Sequence, residues 1–464
     1  MTELALFLDE IAVQEVRGDA SVDVTSVTHD SRLVVEGALF CCVPGRVTDG
    51  HDHAAGAVAA GAVALLCERP LDLARAEVVV DDARAAMGPV ASAFHGHPSR
   101  ALEVVGVTGT NGKTTTTVLL QHVLTATGRA TAAIGTLGGT RTTPEATDLQ
   151  ALLARFRDEG KVAVAMEVSS HALALDRVRG TRFRAAVFTN LSQDHLDFHG
   201  TIERYFAAKA RLFEPDYTDV AIVNADDPHG ALLADAATVP TRTYSMHDVA
   251  DLAVGVASSE GRWRGGSLRV PLGGAFNVSN ALAALTTAVE LDVAVRDALD
   301  ALATAPSVPG RFESIDEGQP FRVVVDFAHT PDGIDQALRA ARDVTSGGRV
   351  IVVFGAGGDK DREKRPLMGA AAARWADLVI VTTDNPRRED PASIADAVVA
   401  GTRGAAADVR VELDRRAAIA LAFAEARPGD LVVVAGKGHE TQQIVGTDTR
   451  PFDDRVVVRE ELSK

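Results

Sequence analysis

The chain has 464 residues, 46% of them hydrophobic, which is too long for one core and too apolar for disorder, so several globular domains are expected. A formal net charge of -17 opposes any phosphodiester backbone and no basic stripe offsets it, so a nucleic-acid partner is excluded while small acidic ligands, held by single Lys or Arg residues on loops, are not. No apolar run reaches the roughly 18 residues of a membrane span, and the opening "MTELALFLDEIAVQE" carries acids where a signal peptide needs bases. No membrane partner is therefore expected, and a cytoplasmic location is. Cys41, Cys42 and Cys67 have neither metal-ligand spacing nor an evident disulfide pairing and read as buried thiols of a reducing compartment.

In chain order, residues 1–99 alternate short apolar strands ("ALFCCVPG", "VALLCE", "EVVVDD") with Ala-rich helical stretches and close at "HGHPSR", which predicts a small α/β domain. The stretch "LEVVGVTGTNGKTTTTVLLQHVLTATG" then predicts strand, glycine-containing loop and helix, opening a nucleotide-binding domain over 100–308 that ends in an Ala-rich helix near 279–303. "TAPSVPGR", with Pro306, Pro309 and Gly310, is the clearest linker, and a third α/β domain follows over 309–464. Seven runs share one design: "VAVAMEVSSH", "AAVFTNLSQDH", "VAIVNADD", "RVVVDFAHT", "RVIVVFGAGGDK", "LVIVTTDNPR" and "LVVVAGKGHE" are continuous apolar segments ending in a polar cluster. Continuous runs suit parallel strands buried on both faces, and ligands of such sheets bind beyond the strands' carboxyl ends, where these clusters fall.

The stretch Gly109, Thr110, Asn111, Gly112, Lys113, Thr114 and Thr115 departs from strict P-loop spacing, because Val107 stands where the first glycine belongs. The physics remains: glycines let backbone N–H groups turn toward phosphate oxygens, the helix N-terminus adds a favourable dipole, Lys113 supplies a point charge, and the Thr114 hydroxyl is a ligand for Mg²⁺. A nucleotide with Mg²⁺ is the expected ligand of this loop. Glu167 ends an apolar strand and needs a partner if buried, which a metal supplies, and His195 on the "LSQDHLDFHG" loop is the companion candidate beside Asp194 and His199.

"GTNGKTTTT", "EVSSH", "LSQDHLDFHG" and "YFAAKARLF" together resemble the Mur ligases, ATP-dependent amide ligases of peptidoglycan precursor synthesis, and the likeness runs from "THDSRLVVEGALFCCVPGRVTDGH" to "GKGHE". Within that family "TTPE", "EVSSHALALDRV", "DNPR" and "GKGHE" resemble the tripeptide-synthetase, or MurE, type. The resemblance implies three α/β domains: an N-terminal UDP-binding one, a central P-loop ATPase-like one with a mostly parallel sheet, and a C-terminal Rossmann-like one for the incoming amino acid. It implies that Ser31, Thr142, Thr143, Ser169 and Arg177 contact the UDP-muramoyl-peptide. It places Lys113, Thr114, Glu167 and His195 at the phosphate and metal site, with Lys209 as a carbamate ligand of the metal, and Asn280, Arg311, Asp326 and His329 at the nucleotide. As a carbamate, Lys209 would turn from a cation that repels Mg²⁺ into an anion that ligates it.

The implied reaction phosphorylates the terminal carboxylate of UDP-MurNAc-L-Ala-D-Glu and lets the amine of a diamino acid capture the acyl phosphate, in a monomer. Arg387 of "DNPR" is a fork suited to the second carboxylate of meso-diaminopimelate, and Asp384, Asn385, Gly436 and Glu440 are expected around the same amino acid. Lys360 in "GAGGDKD" stands where the family usually has arginine, Leu175 replaces a residue that is sometimes polar, and Phe327 replaces a common tyrosine. The Lys360 departure, at the amino-acid site, leaves L-lysine or another diamino acid open. The rival readings are the pentapeptide-forming Mur ligase, which lacks "DNPR", folylpolyglutamate synthase, which lacks the "HDSR…DGH" domain, and a non-catalytic nucleotide-binding regulator, which would not need Lys113, Glu167 and Lys209 together.

Overall fold

A computed structural model describes residues 2–45, 47–139 and 141–464. The seven apolar runs are parallel strands, divided between two six-stranded sheets. The first of these sheets has the order Thr241–Tyr244, Ala221–Asn224, Ala185–Phe188, Glu103–Thr108, Ala163–Glu167, Thr131–Ile134, all parallel. The chain leaves Glu103–Thr108, builds the strands on one side, then crosses to the other. The loop after Thr108 therefore opens at the switch point where an α/β sheet binds ligands. Val105, Val107, Ala163, Ala165 and Val187 face a helix layer on one side, while Val104, Val164, Met166, Ala186 and Phe188 face the other, which is why these strands read as unbroken apolar runs.

The C-terminal sheet runs Glu313–Ile315, Arg322–Asp326, Leu431–Ala435, Val350–Phe354, Leu378–Val381, Asp408–Val411, parallel except for its first pair. Insertion of the last strand between Arg322–Asp326 and Val350–Phe354 brings "GKGHE" beside "DNPR". The N-terminal sheet has five strands, Glu15–Gly18, Ala76–Val79, Ala62–Cys67, Ala38–Cys41 and Ser26–Thr28, again with only the first pair antiparallel. Its three cysteines are free and buried, and burial pushes the Cys67 thiol up to about 11 and that of Cys41 to about 12.

One expectation needs correction. The helix expected near 279–303 is two helices, Ala275–Glu290 and Val295–Leu302, because Asp292 takes a left-handed conformation (φ 65°) and turns the chain between them. The linker around Pro306 and Pro309 has no helix or strand, yet it is not a loose tether: Val308 is fully buried and Gly310 N donates to Glu313 Oε2 at 2.8 Å. An antiparallel meander, Val249–Val254, Ser259–Trp263 and Gly266–Val270, was not anticipated. Its signal is the "RWRGGSLRV" alternation around a two-residue turn, Arg264 and Gly265, both at positive φ.

Candidate active site

The loop of residues 109–112 feeds the helix Lys113–Ala126. Gly112 (φ 84°) cannot be replaced cheaply, since a Cβ there would come within 2.3 Å of Asn280 Oδ1. Lys113 Nζ donates to Gly109 O (2.9 Å) and Thr110 O (2.8 Å), and Lys209 Nζ donates to the same Gly109 O at 2.7 Å. Lys209 is 1% exposed, lies 4.6 Å from the centre of the Tyr205 ring, and has no carboxylate partner among the described residues. Burial, and then the neighbouring Lys113 charge, hold its pKa well below the usual lysine range; burial lowers that of Lys113 too, against the pull of Glu167 and Asp194. Two amines sharing one carbonyl form a cationic pocket short of anions.

Glu167, 2% exposed, accepts from the Thr114 hydroxyl (3.0 Å) and Thr136 N (2.8 Å) through Oε1, and from the Thr136 hydroxyl (3.2 Å) through Oε2. A Cβ on Gly135 would meet Oε1 at 2.3 Å, so that glycine leaves room for the carboxylate. Arg311 Nη2 donates to the Thr114 hydroxyl at 3.0 Å, while its Nε is buried without a partner. The linker thus delivers a third basic side chain with no carboxylate in bonding range among the described residues. No three His, Cys, Asp or Glu side chains among the described residues are grouped to hold a metal ion. The donor set that is present, a hydroxyl and a carboxylate in contact, fits Mg²⁺, which takes few protein ligands and completes its shell with water and phosphate oxygens. His195 lines the same cleft but is 45% exposed on its side chain and lies 3.4 Å from Asp194.

This cleft has a volume of about 330 Å³ and collects Gly112, Lys113, Thr114, Glu167, His195, Asn280, Arg311, Asp326 and His329 from both sheets. Asp326 does not offer a free carboxylate: its oxygens accept Phe312 N (2.7 Å) and Ala328 N (2.8 Å), fixing the turn beside Arg311. His329 Nδ1 lies 2.8 Å from Phe327 O and its own carbonyl accepts Lys364 Nζ at 3.1 Å. Asp332, which the sequence did not single out, ties the sheets together: it accepts from Asn111 Nδ2 and Ser192 Oγ, each at 2.7 Å, and from Gln336 Nε2 at 2.8 Å. A larger cavity, about 730 Å³, lies beside His97, Arg100, Arg179 and Tyr217, and none of the candidate site residues lines it.

On the N-terminal side, Thr143 Oγ1 donates to Glu167 O (2.9 Å) and receives Ser169 N (3.1 Å), while Arg177 Nη1 reaches Thr143 O at 3.5 Å. Arg177 Nη2 also pairs with Glu145 at 2.8 Å, and Arg141 binds the same carboxylate. Glu145 is a residue that sequence reasoning quoted in "TTPE" without giving it a role. Ser31 follows His29, whose Nδ1 is 2.7 Å from Thr147 Oγ1, so it stands near this group without bonding to it.

In the C-terminal sheet the loops after Val381 and Ala435 meet. Asn385 Nδ2 donates to Glu440 Oε2 at 2.9 Å, and Asn385 Oδ1 receives Ile444 N at 2.9 Å. Arg387 (φ 50°) points Nη1 at Gly358 O (2.8 Å) and has no carboxylate partner among the described residues. Asp384 is 6% exposed and burial raises its pKa; a Cβ on Gly436 would lie 2.9 Å from its Oδ2. Lys360 is exposed on the neighbouring loop. Arg365 and Glu389 pair at 2.9 Å, and Glu389 also accepts Asp359 N (2.6 Å), which joins the two loops. The Glu389 carboxyl is held down at about 2, chiefly by its hydrogen bond from Arg365.

A phosphate loop whose lysines have no carboxylate in bonding range among the described residues faces an α/β sheet whose loops carry an arginine fork and a carboxylate, an arrangement that fits a nucleotide-dependent enzyme. Profiles of the Mur ligase middle domain, the glutamate ligase domain and the Mur ligase family catalytic domain match residues 107–288, 310–438 and 23–99. The chain is 46% identical to UDP-N-acetylmuramoyl-L-alanyl-D-glutamate--2,6-diaminopimelate ligase of Streptomyces coelicolor, covering 100% of this chain and 97% of that one. It is 43% identical to the protein of the same name from Geobacillus thermodenitrificans, covering 94% of each. A solved structure under that name superposes with a TM-score of 0.70 at 34% identity, covering 100% of this chain and 99% of the other. The fold alone is also shared with MurF ligase of Thermotoga maritima in complex with ADP, at a TM-score of 0.65, 21% identity and 95% and 96% coverage. The chain belongs to the Mur ligase family.

Proposed function

We propose that this chain is an ATP-dependent amide ligase that adds meso-2,6-diaminopimelate to UDP-N-acetylmuramoyl-L-alanyl-D-glutamate through an acyl phosphate. The observation that carries the reading is the pairing of two deficits: among the described residues Lys113 and Arg311 have no carboxylate in bonding range at the phosphate loop, and Arg387 has none in the amino-acid pocket. Relatives whose names specify these two substrates align over 100% and 94% of the chain.

A carboxylate is a poor electrophile, and an ammonium is no nucleophile. An oxygen of the terminal carboxylate attacks the γ-phosphorus of ATP, ADP leaves, and the acyl phosphate so formed is attacked at carbon by the free amine, which gives up its proton as phosphate departs. Residues 109–115 cradle the phosphates, Lys113 and Arg311 offset the charge that builds on the transferring group, and Asn280, Asp326 and His329 border the nucleotide. Thr114 and Glu167 would hold Mg²⁺, with His195 and the carbamate of Lys209 completing the set. When bound, the ion neutralises phosphate charge. A buried lysine with a lowered pKa presents the neutral amine that CO₂ requires, which supports the carbamate.

In this reading 1–99 takes the UDP moiety through Ser31, 100–308 takes ATP and, through Thr142, Thr143, Ser169 and Arg177, the muramoyl-peptide, and 309–464 takes the amino acid. Arg387 grips its distal carboxylate, and Asp384, Asn385, Gly436, Glu440 and Lys360 surround the rest. The residues assigned to the three substrates all lie on one chain, which supports a monomer. No helix among the described residues is long and apolar enough to cross a membrane, and the free thiols support a cytoplasmic setting. The test supplies ATP, Mg²⁺ and the UDP-dipeptide with meso-diaminopimelate, L-lysine or L-ornithine in turn, following phosphate release and product mass. Tripeptide with diaminopimelate alone is expected; equal use of the three would overturn the specificity.

A further inference from the structure

Lys437 is a wholly buried cation that the reaction does not use. Its side chain is 0% exposed, and its Nζ donates to Gln442 O at 2.5 Å, Glu440 Oε2 at 3.0 Å and Asn385 Oδ1 at 3.4 Å. All three donors of the ammonium are thereby used. Gly438 (φ 54°) makes this return possible, because it turns the loop so tightly that a Cβ would lie 2.6 Å from Phe327 Cβ.

Two consequences follow for the amino-acid pocket. The first is orientation: with Oδ1 of Asn385 facing Lys437 and Ile444 N, its amide nitrogen must face Glu440, which it does at 2.9 Å. Glu440 Oε2 then has two donors, while Oε1 accepts none among the described residues on a side chain 37% exposed. The second is charge. Glu440 is already neutralised from below by Lys437, whereas Arg387 donates among the described residues only to backbone carbonyls. A ligand whose distal end is a bare ammonium meets a spent carboxylate and an unpaired guanidinium. A ligand whose distal end carries both ammonium and carboxylate fits both.

Resting on the function proposed above, we propose that Lys437 is a specificity-determining positioning residue: it holds Asn385 and Glu440 in one orientation and cancels the Glu440 charge, so that only a diamino acid with a distal carboxylate is bound well. Lys437→Met keeps the stem and removes the charge. It is expected to cut the ratio of kcat/KM for meso-diaminopimelate over L-lysine by about tenfold, with the KM for ATP within about twofold of the parent, and Lys437→Arg is expected to keep more of the ratio. An unchanged ratio, with both amino acids losing alike, would overturn the proposal and leave Lys437 a support of the loop. Should Lys437→Met not fold, Glu440→Gln carries the test, since the uncancelled Lys437 should then cost L-lysine more than diaminopimelate; equal losses would overturn it. Failure of the underlying reading looks different, because the parent would then make no tripeptide from diaminopimelate.

Discussion

Lys113 and Lys209 in the central domain rest on the carbonyl of Gly109, with no carboxylate in bonding range among the described residues. In the C-terminal domain Lys437, Arg365 and Arg415 rest on Glu440, Glu389 and Asp454, the last pair at 2.6 Å with both side chains 0% exposed. Both regions are the same strand–loop unit of a parallel sheet, so the fold does not impose the difference; the ligand does. A site for a polyphosphate needs cations left unneutralised, and their cost in desolvation is tolerated until the ligand arrives. A site for a zwitterion needs balanced charge with one deficit, and the proposed function puts the extra carboxylate at Arg387. Buried charge that lacks a partner is thus a guide to the charge of what binds.

The largest effect is expected at the phosphate loop. Lys113→Ala should lower kcat by about a thousandfold, since the lost charge faces the transferring phosphoryl group; phosphate release measures it, and a loss confined to KM would mean that Lys113 binds without assisting transfer. In the C-terminal domain, Asp454→Asn strands a buried guanidinium and should cost about 3–5 kcal/mol of stability in urea unfolding. A near-neutral result would show that the pairing in the C-terminal domain is decorative. Arg387→Ala should raise the KM for diaminopimelate by roughly tenfold to a hundredfold while leaving that for ATP within about twofold; equal effects on both would remove Arg387 from the amino-acid pocket.

The smallest effect sharpens the contrast through pH. The folded pKa of Lys209 lies well below its ordinary 10.5, because of burial and then Lys113. Between those values the unfolded chain binds more protons, so stability rises with pH across that window and the penalty is greatest below it. Lys209→Met removes the penalty. In CO₂-free buffer it should raise the urea midpoint near neutral pH, and the gain should shrink as pH climbs toward 10.5. A variant no more stable than the parent anywhere in that range would mean that the buried amine carries no such penalty.

Much of the architecture was legible because both-face burial leaves a plain mark: each of the seven apolar runs is a parallel strand, and the polar residues ending them gather at the sheets' carboxyl edges. The meander was missed because its strands, such as "SEGRW", alternate and carry charge, which hides them among loops. The break at Asp292 depends on one residue at positive φ, which residue type alone does not announce. In the site, sequence named residue types but not how each spends its bonds. Asp326 commits its oxygens to Phe312 N and Ala328 N, and Asp332 reaches back 221 residues to Asn111. Lys437 and Glu145 stood inside quoted motifs without a role because their partners are fixed by loops from elsewhere in the sheet or by neighbouring arginines.

In the proposed reaction a carboxylate is activated by direct transfer of phosphate. The most direct measurement places heavy oxygen in the terminal carboxylate of UDP-MurNAc-L-Ala-D-Glu, runs a single turnover with ATP and meso-diaminopimelate, and weighs the products. Transfer of one labelled oxygen to inorganic phosphate is the predicted result. Label retained wholly in the amide and water, or delivered to AMP, would contradict it.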